Sequence, residues 1–571
     1  MSGSSSIDVD SGQQSPEELL GGILFAGVSS AQRIHRIEAA LEDPAGQQLR
    51  ERMAEWVVHF LPTDHLVPER YAAWRPLVRE AMLFFGTHLS APRLAPKLVE
   101  QMELPLDTPP EVRLLHLIAK VPGLQKLGQV LARNRHLPAS LRDALTELEN
   151  GICDVSAKEI HAIISQELAP RLASCAVQVE PAIFFEASVS AVMRFTWYNP
   201  DTQQRERGVF KVMKPYVPAC FAEDMDLLGR LAKHLGSTRL KYGFARRALA
   251  ETFQDVRRLL QHEVQFVREQ RVLLEAHRLY DPIRGVRVPQ VIRPLCTPKI
   301  TAMTEEHGKK ITNAVRRMPP SRRRQVGSQL IDKLIAVPLF APKGDVIFHA
   351  DPHAGNLLYD KTTGDLVILD WALTERLSRD QRRHLAMLFL MIFLRDPVGT
   401  CYEIEVLRRG RGRHGRREAR VIRDCVTRFM AELPPAHLPG SVEAMGLLEQ
   451  IALAGVRLPS YLVLLRKVLF TLDGILHDIT GPGFRMDLVL ARHLALNWLT
   501  RWSSIGLPLS LPDWVLVQLS TLLYPSRIWM QWAQTLAERS RRDGPTVRAG
   551  VSASRKFPSL PEARRTSHGA L

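Results

Sequence analysis

The stretch HADPHAGNLLYDKTTGDLVILD, from His349 to Asp370, constrains this chain more than any other. Pro352 forbids a helix through its first half. Thr-Thr-Gly-Asp between the apolar runs LLY and LVILD predicts a hairpin in its second half. Asp351 lies five residues before Asn356, and Asp370 lies 14 after it. A hairpin would fold Asp370 back beside Asn356. Phosphoryl transfer needs a carboxylate beside the nucleophile, and an amide oxygen with a second carboxylate to hold Mg²⁺ against the phosphates. Mg²⁺ selects hard oxygen donors of this kind. Singly, Asp351 and Asn356 are ordinary turn residues and Asp370 an ordinary helix cap; their joint order and spacing carry the signal. His349, Asp351 and His353 form a rival metal cluster. Zinc ligands of that kind usually lie on a helix or come with further His or Cys, and Pro352 breaks any helix here.

A second part lies upstream. VSAVMRFTWY, NPDTQQRER and GVFKVMKP read as strand, turn and strand, with Lys211 in the middle of an apolar strand. A cation so placed can pair the α/β-phosphates if a helical carboxylate holds it. Glu269, in HEVQFVREQ, is the best candidate. By itself, a mid-strand lysine is more often only solvent-facing.

The rest of the chain divides around these parts. Residues 1–15 read as a disordered leader without the apolar core of a signal peptide. Residues 16–170 read as a helical extension punctuated by Pro62, Pro105 and Pro138. Residues 171–310 form a small β-rich lobe in which VIRPL and KITAM read as short strands and 221–280 as helix. Residues 311–400 form the core of a helical lobe; 312–340 reads as helix, and Ser378 with Gln381 fits a capping box. Residues 401–540 are again helical, and 541–571 form a basic tail. This order suits an α+β class: a small β-rich lobe on a large helical lobe, with helical additions at both ends.

Length and composition limit the alternatives. At ~150 residues per domain, 571 residues allow about four domains or a larger two-lobed enzyme. With 45% hydrophobic residues a core is available. A net charge of +16 favours polyanionic company. Aromatics at 7% advertise no stacking surface. Six scattered cysteines with no C-x-x-C argue against a zinc cluster or a disulfide framework and suit the reduced cytosol.

These residues resemble the UbiB/AarF family of atypical kinases, which includes the mitochondrial coenzyme Q-supporting kinase-like proteins. The resemblance spans about residues 110–380. FHADPHAGN is similar to the family's FHADPHPGN, and Asp370-Trp371-Ala372 stands at its Asp-Phe-Gly. QKLGQVLARNRHLP resembles the K-x-G-Q signature segment, with Lys126, Gly128 and Gln129. EASVSAVMRF resembles the Ala-rich loop, which puts Ala187, Ser188 and Ser190 over the nucleotide phosphates. TAMTEEHGKKI resembles the hinge, with Met303 to Gly308 beside the adenine.

The chain also departs from the family pattern. The E-x-D motif reads Glu263-Val264-Gln265, which keeps a carboxylate to pair Lys126 but loses the Asp. Ala372 takes φ > 0 only at a cost, so a stiffer metal loop is expected. Lys211 and Glu269 are 58 residues apart, a gap that matches an insertion in the family. A helix starting at Ser378 leaves no long activation segment.

The resemblance implies a two-lobed protein-kinase-like fold with helical N-terminal and C-terminal extensions, whose cleft binds Mg-ATP, with the signature segment folded over the place where a protein substrate would dock. It therefore implies ATPase activity, or phosphorylation of a small or lipid-like acceptor, in support of isoprenoid quinone or other prenyl-lipid metabolism. Two alternatives stay open: an ATP-binding pseudokinase scaffold, and an aminoglycoside-type small-molecule phosphotransferase.

Two basic runs, Arg316–Arg324 and Leu407–Arg420, read as solvated loops, with anionic membrane contact as the sharper reading. They lack aromatic interleaving, so no specific nucleic acid is expected. The Trp-rich segment Trp502–Trp532 reads as a helix packed on the large lobe or as an interfacial anchor. The expected location is cytoplasmic, with peripheral membrane attachment as the variant reading.

Overall fold

A computed structural model describes residues 29–121, 155–237, 261–492 and 511–542, apart from 45, 68, 70–71, 73–74, 120, 188, 263, 342–343, 409–415, 435–438 and 482. Five N-terminal helices come first: α1 (Ser30–Glu42), α2 (Gly46–His59), α3 (Arg75–His88), α4 (Ala91–Glu103) and α5 (Pro110–Ile118). Ser29 and Gln32 close a capping box on α1. Pro62 starts a single turn, Thr63–Leu66, and Pro105 follows the end of α4. Pro138 lies outside the described residues.

Helix α6 (Ala157–Ser174) leads into β1 (Gln178–Glu186), β2 (Ser190–Asn199) and β3 (Gln204–Met213). With β5 (Ile300–Thr304) these strands form an antiparallel sheet in the order β1-β2-β3-β5. Side chains alternate across a strand, so Ala191, Met193 and Phe195 of β2 and Phe210 and Val212 of β3 bury together with Ile160, Ile164 and Leu168 of α6. Thus α6, within the segment 16–170 read as an extension, packs into the small-lobe core. Gly208 is required there: a Cβ would stand 2.5 Å from the Phe195 ring.

Strand β1 is invisible to a pattern search for a physical reason. It is an edge strand carrying Pro181, with irregular register between Val179 and Phe185 and with Phe184 and Phe185 exposed. VIRPL, expected as a strand, is corrected to one isolated bridge (Val291 to Met303) and a 3₁₀ turn at Arg293–Leu295. Pro294 has no N–H to give a ladder, so pairing stops there.

The helix expected over 221–280 comprises α7 (Val217–Ser237) and α8 (Phe266–Tyr280), with 238–260 outside the described residues. Leu227, Leu231 and Leu235 of α7 bury against Ile37, Leu41, Leu94 and Leu98 of α1 and α4.

The large lobe begins with the strands β4 (Val286–Arg287) and β6 (Lys309–Lys310). Helices α9 (Ile311–Val315) and α10 (Pro320–Ile331) follow, and α10 runs into a π-turn at Asp332–Ala336. Next come β7 (Val346–His349), β8 (Leu357–Tyr359), β9 (Leu366–Ile368) and β10 (Thr374–Leu377). The hairpin predicted between LLY and LVILD is β8–β9, antiparallel, with Gly364 at φ +79° in its turn. Strand β10 pairs antiparallel with β7, and Ser378 and Gln381 form the predicted capping box on α11 (Arg379–Phe393). Helices α12 (Pro397–Arg408), α13 (Arg416–Glu432), α14 (Ser441–Leu453) and α15 (Ser460–Thr480) complete the lobe. Leu462, Leu465, Val468, Leu469 and Leu472 of α15 are buried in one core with Leu330, Phe348, Leu357 and Trp371.

The basic runs are not uniform loops. Arg408 is buried, with its guanidinium 2.8 Å from Glu418 and a further bond to the Arg457 carbonyl. The Trp-rich segment forms α16 (Leu511–Arg542) from Leu511 onward. One face packs on α11 through Val517 and Tyr524, and the other leaves Val515, Leu519, Leu522 and Trp529 exposed. Among the described residues no helix is long and apolar enough to cross a membrane.

Candidate active site

Alternation along β3 turns Phe210 and Val212 into the small-lobe core and Lys211 to the opposite face, in register with Val192 and Thr301. There its Nζ donates to Glu269 Oε1 at 2.6 Å and to Asp370 Oδ1 at 3.2 Å. Glu269 sits in the first turn of α8, and the Phe266 ring centroid of that helix lies 5.7 Å from the ammonium. The lysine expected on the strand, the carboxylate expected on the helix and the carboxylate after the hairpin therefore meet at one nitrogen.

The loop before β8 supplies the other half. Asn356 accepts the N–H of Leu369 on its carbonyl at 2.8 Å, which closes the hairpin's open end and sets Asp370 beside it. Its side-chain Nδ2 donates to the Asp351 carbonyl at 3.2 Å, which leaves the amide oxygen as an acceptor. Asp370 adopts φ +51°, and its Oδ1 accepts from the Ala372 N–H at 3.3 Å. This corrects the expectation of a loop stiffened by Ala372, because the left-handed residue is Asp370. Asp tolerates that region better than most side chains.

Both nitrogens of His349 are used by the backbone. Nε2 faces the carbonyls of Leu369 and Asp370 at 3.0 and 2.9 Å, and Nδ1 accepts from the Asp351 N–H at 3.2 Å. These partners define the neutral Nε2–H tautomer, and burial pushes the imidazole pKa down. His349 thus ties the two loops together and is not a zinc ligand. Trp371 is fully buried, donates to the Ile368 carbonyl at 3.1 Å and meets the His349 ring edge-on at 5.0 Å.

Ala187 donates its N–H to the Ser190 carbonyl at 2.7 Å, so the tight turn between β1 and β2 falls where the Ala-rich loop was expected. Ser190 is buried, and Met303 is half-buried on β5 opposite Val209. Ser188, Lys126, Gly128, Gln129 and Glu263 lie outside the described residues.

Four residues of the site were not found from the sequence. Lys467 of α15 donates to Asp351 Oδ1 at 2.9 Å. Its only signal is an Arg-Lys pair, Arg466 and Lys467, inside the apolar run YLVLLRKVLF, 116 residues away in the chain. Arg268 donates to the carbonyls of Ala372 and Thr374, which braces the loop after Asp370 against α8. Lys214 and Glu186, both almost wholly buried, pair at 3.0 Å and brace the turn that contains Ala187.

A small antiparallel sheet over a helical lobe, with a strand lysine held by a helical carboxylate and facing the acid that follows the hairpin, defines a kinase-like architecture. The family model of the ABC1 atypical kinase-like domain matches residues 147–401. That match agrees with the family resemblance read from the sequence motifs. Among curated relatives, the probable protein kinase UbiB of Azotobacter vinelandii is 25% identical over 288 residues, covering 48% of this chain and 49% of its own. The uncharacterized protein Rv0647c of Mycobacterium tuberculosis is 25% identical over 297 residues, covering 50% and 57%. The chain spans about half the length of the curated relatives it matches. A solved structure, the complex of Rv3197 with erythromycin from Mycobacterium tuberculosis, is 17% identical with a TM-score of 0.41, covering 63% of this chain and 88% of that one.

Proposed function

We propose that this cleft binds Mg-ATP and transfers the γ-phosphoryl group to water or to a small lipid-like acceptor, in support of isoprenoid quinone or other prenyl-lipid metabolism. The observation that carries the reading is the Lys211 ammonium held between Glu269 and Asp370, together with Asp351 and Asn356 fixed on the adjoining loop. In the transfer, the acceptor oxygen forms a bond to phosphorus, the bond to the bridging oxygen breaks, ADP leaves, and the acceptor proton passes to the Asp351 carboxylate. Lys211 pairs the α/β-phosphates, and the turn at Ala187 and Ser190 covers them.

The donor set fits Mg²⁺. Asp370 offers a partly exposed carboxylate and Asn356 an amide oxygen, both hard donors. The site's two lysines are already matched by carboxylates, Lys211 by Glu269 and Asp370 and Lys467 by Asp351. Little of their charge is left over for a bare triphosphate. When bound, Mg²⁺ supplies the positive charge that offsets the phosphate oxygens. The exposed apolar face of α16 supports peripheral contact with an anionic membrane that carries the acceptor.

ATP hydrolysis by the full chain tests the proposal, with Mg²⁺, with and without anionic liposomes and a prenyl-phenol. Turnover should require Asp351 and rise with lipid, and Asp370→Asn should abolish Mg-dependent ATP binding. ATP binding retained in Asp370→Asn would refute the metal assignment. Tight Mg-ATP binding without turnover would favour the scaffold reading, which Gln265 at the E-x-D position motivates.

A further inference from the structure

A separate cavity of about 780 Å³ opens where α10, its π-turn, the β8–β9 turn and the Leu488–Arg492 segment meet. None of the cleft residues described above lines it. Its walls carry Arg284, Arg322, Lys333 and Arg492 against a single carboxylate, Asp332, which leaves a net charge of +3. That carboxylate is already engaged, with Lys333 Nζ at 2.8 Å. Among the described residues Arg322 donates only to the Gln325 amide oxygen, at 2.9 Å. Among the described residues, Arg284 and Arg492 make no ion pair or hydrogen bond. Among the described residues these three guanidinium groups share one concavity with no carboxylate of their own.

The same wall is built in an unusual way. The helix departs from α geometry at Asp332–Ala336, and this π-turn puts Asp332 and Lys333 on the cavity surface, with the Tyr280 hydroxyl donating to the Lys333 carbonyl at 2.8 Å. Such bulges occur frequently at functional sites. Gln329 donates to the carbonyls of Gly285 and Gly364, which fixes the wall to the hairpin turn. Ser328, Tyr359 and Thr363 add hydroxyl donors, and Leu488 adds an exposed apolar edge.

We propose that this cavity is a binding site for a phosphoryl-bearing anion whose apolar portion lies against Leu488 and Val489. Guanidinium forks match phosphate oxygens in pairs. A concave surface of one sign concentrates the field that a dispersed set of arginines would not. The volume falls in the range of small-molecule sites. The site touches the turn of the hairpin whose open end holds Asn356 and Asp370, so its ligand contacts the far end of the element that fixes the candidate metal pair.

The test is calorimetric titration of the full chain with pyrophosphate, alongside flotation with phosphatidylglycerol vesicles. The Arg284→Ala/Arg492→Ala double variant removes two exposed side chains and should keep the wild-type melting temperature. Saturable pyrophosphate binding that weakens at least roughly tenfold in this variant is expected, since a charge-assisted hydrogen bond is worth about that much or more. It should persist in Lys211→Ala. Arginine-dependent binding to vesicles alone would keep the site and assign the phosphoryl group to a lipid headgroup. Binding lost in Lys211→Ala but kept in the double variant would place the anion in the cleft and overturn the proposal. Arginine-independent behaviour in both arms would overturn it as well.

Discussion

Replacing Lys467 with Met removes the cation that α15 places 2.9 Å from the Asp351 carboxylate. The Asp351 side chain is only 6% exposed and that of Lys467 26%. At that distance and an effective dielectric of about 20, the gross Coulomb attraction is about 6 kcal/mol. Desolvation cancels much of it, and stranding one partner of a buried pair costs about 3–5 kcal/mol. Lys467 is partly solvated, so water can reach the vacated position, and the expected loss of stability is about 2 kcal/mol.

A double-mutant cycle isolates the contact. Urea unfolding of wild type, Asp351→Asn, Lys467→Met and the double variant should give a coupling energy of about 1–2 kcal/mol. Where ATP turnover is measured, Lys467→Met should lower kcat about 10- to 100-fold and leave the KM for ATP within a factor of about three. The reason is that it acts on the residue beside the acceptor and not on the nucleotide. Lys467→Arg should recover part of the loss. Additive stabilities in the cycle, or unchanged kcat in Lys467→Met, would refute the assignment.

Other outcomes follow from single contacts. Trp371→Ala removes a fully buried ring that clasps His349 and should cost about 3–5 kcal/mol, read as a fall in the urea midpoint. Ala372→Gly should leave nucleotide binding unchanged, because the positive φ belongs to Asp370; tighter binding in the variant would contradict this. Asp360 accepts hydrogen bonds from the side chain and backbone of Thr362 and pairs with Arg287, which hold its pKa at about 2. The stability it confers is therefore present above about pH 4 and lost as pH falls toward 2, and Asp360→Asn should flatten that part of the pH–stability curve. Burial raises the Cys296 thiol to about 11, so alkylation of the folded chain near pH 8 should leave Cys296 unmodified while denatured chain reacts.

What could be read in advance was whatever depends on near neighbours. The β8–β9 hairpin rests on Thr-Thr-Gly-Asp, the α11 cap on Ser378 and Gln381, and the orientation of Lys211 on a period of two; each lies within about ten residues of its cause. The juxtaposition of Asn356 and Asp370 follows from the hairpin alone. The contacts between remote elements could not be read. Lys467 looks like the partner of Arg466 on an otherwise apolar helix until α15 packs against the Asp351 loop, and Arg268 has no local reason to seek the Ala372 carbonyl. Strand β1 hides because Pro181 and exposed phenylalanines erase its alternation. The placement of positive φ at Asp370 depends on the Asn356–Leu369 and His349 clasps, which form only after the loops have folded together.

The same contacts bear on what the working unit is. The matched domain ends at residue 401, yet the lobe under its loops is not closed there. Leu462, Leu465, Val468, Leu469 and Leu472 fill one core with Leu330, Phe348 and Trp371, and cutting α15 away would bare those apolar side chains to water. The same helix brings the cation that faces Asp351. On the other side, the buried leucines of α7 are covered by α1 and α4, well before residue 147. A site whose acid is paired from α15, and whose lobes are closed by helices on both flanks, belongs to the longer chain. The segment 147–401 carries the recognisable chemistry, and the residues around it hold that chemistry in place.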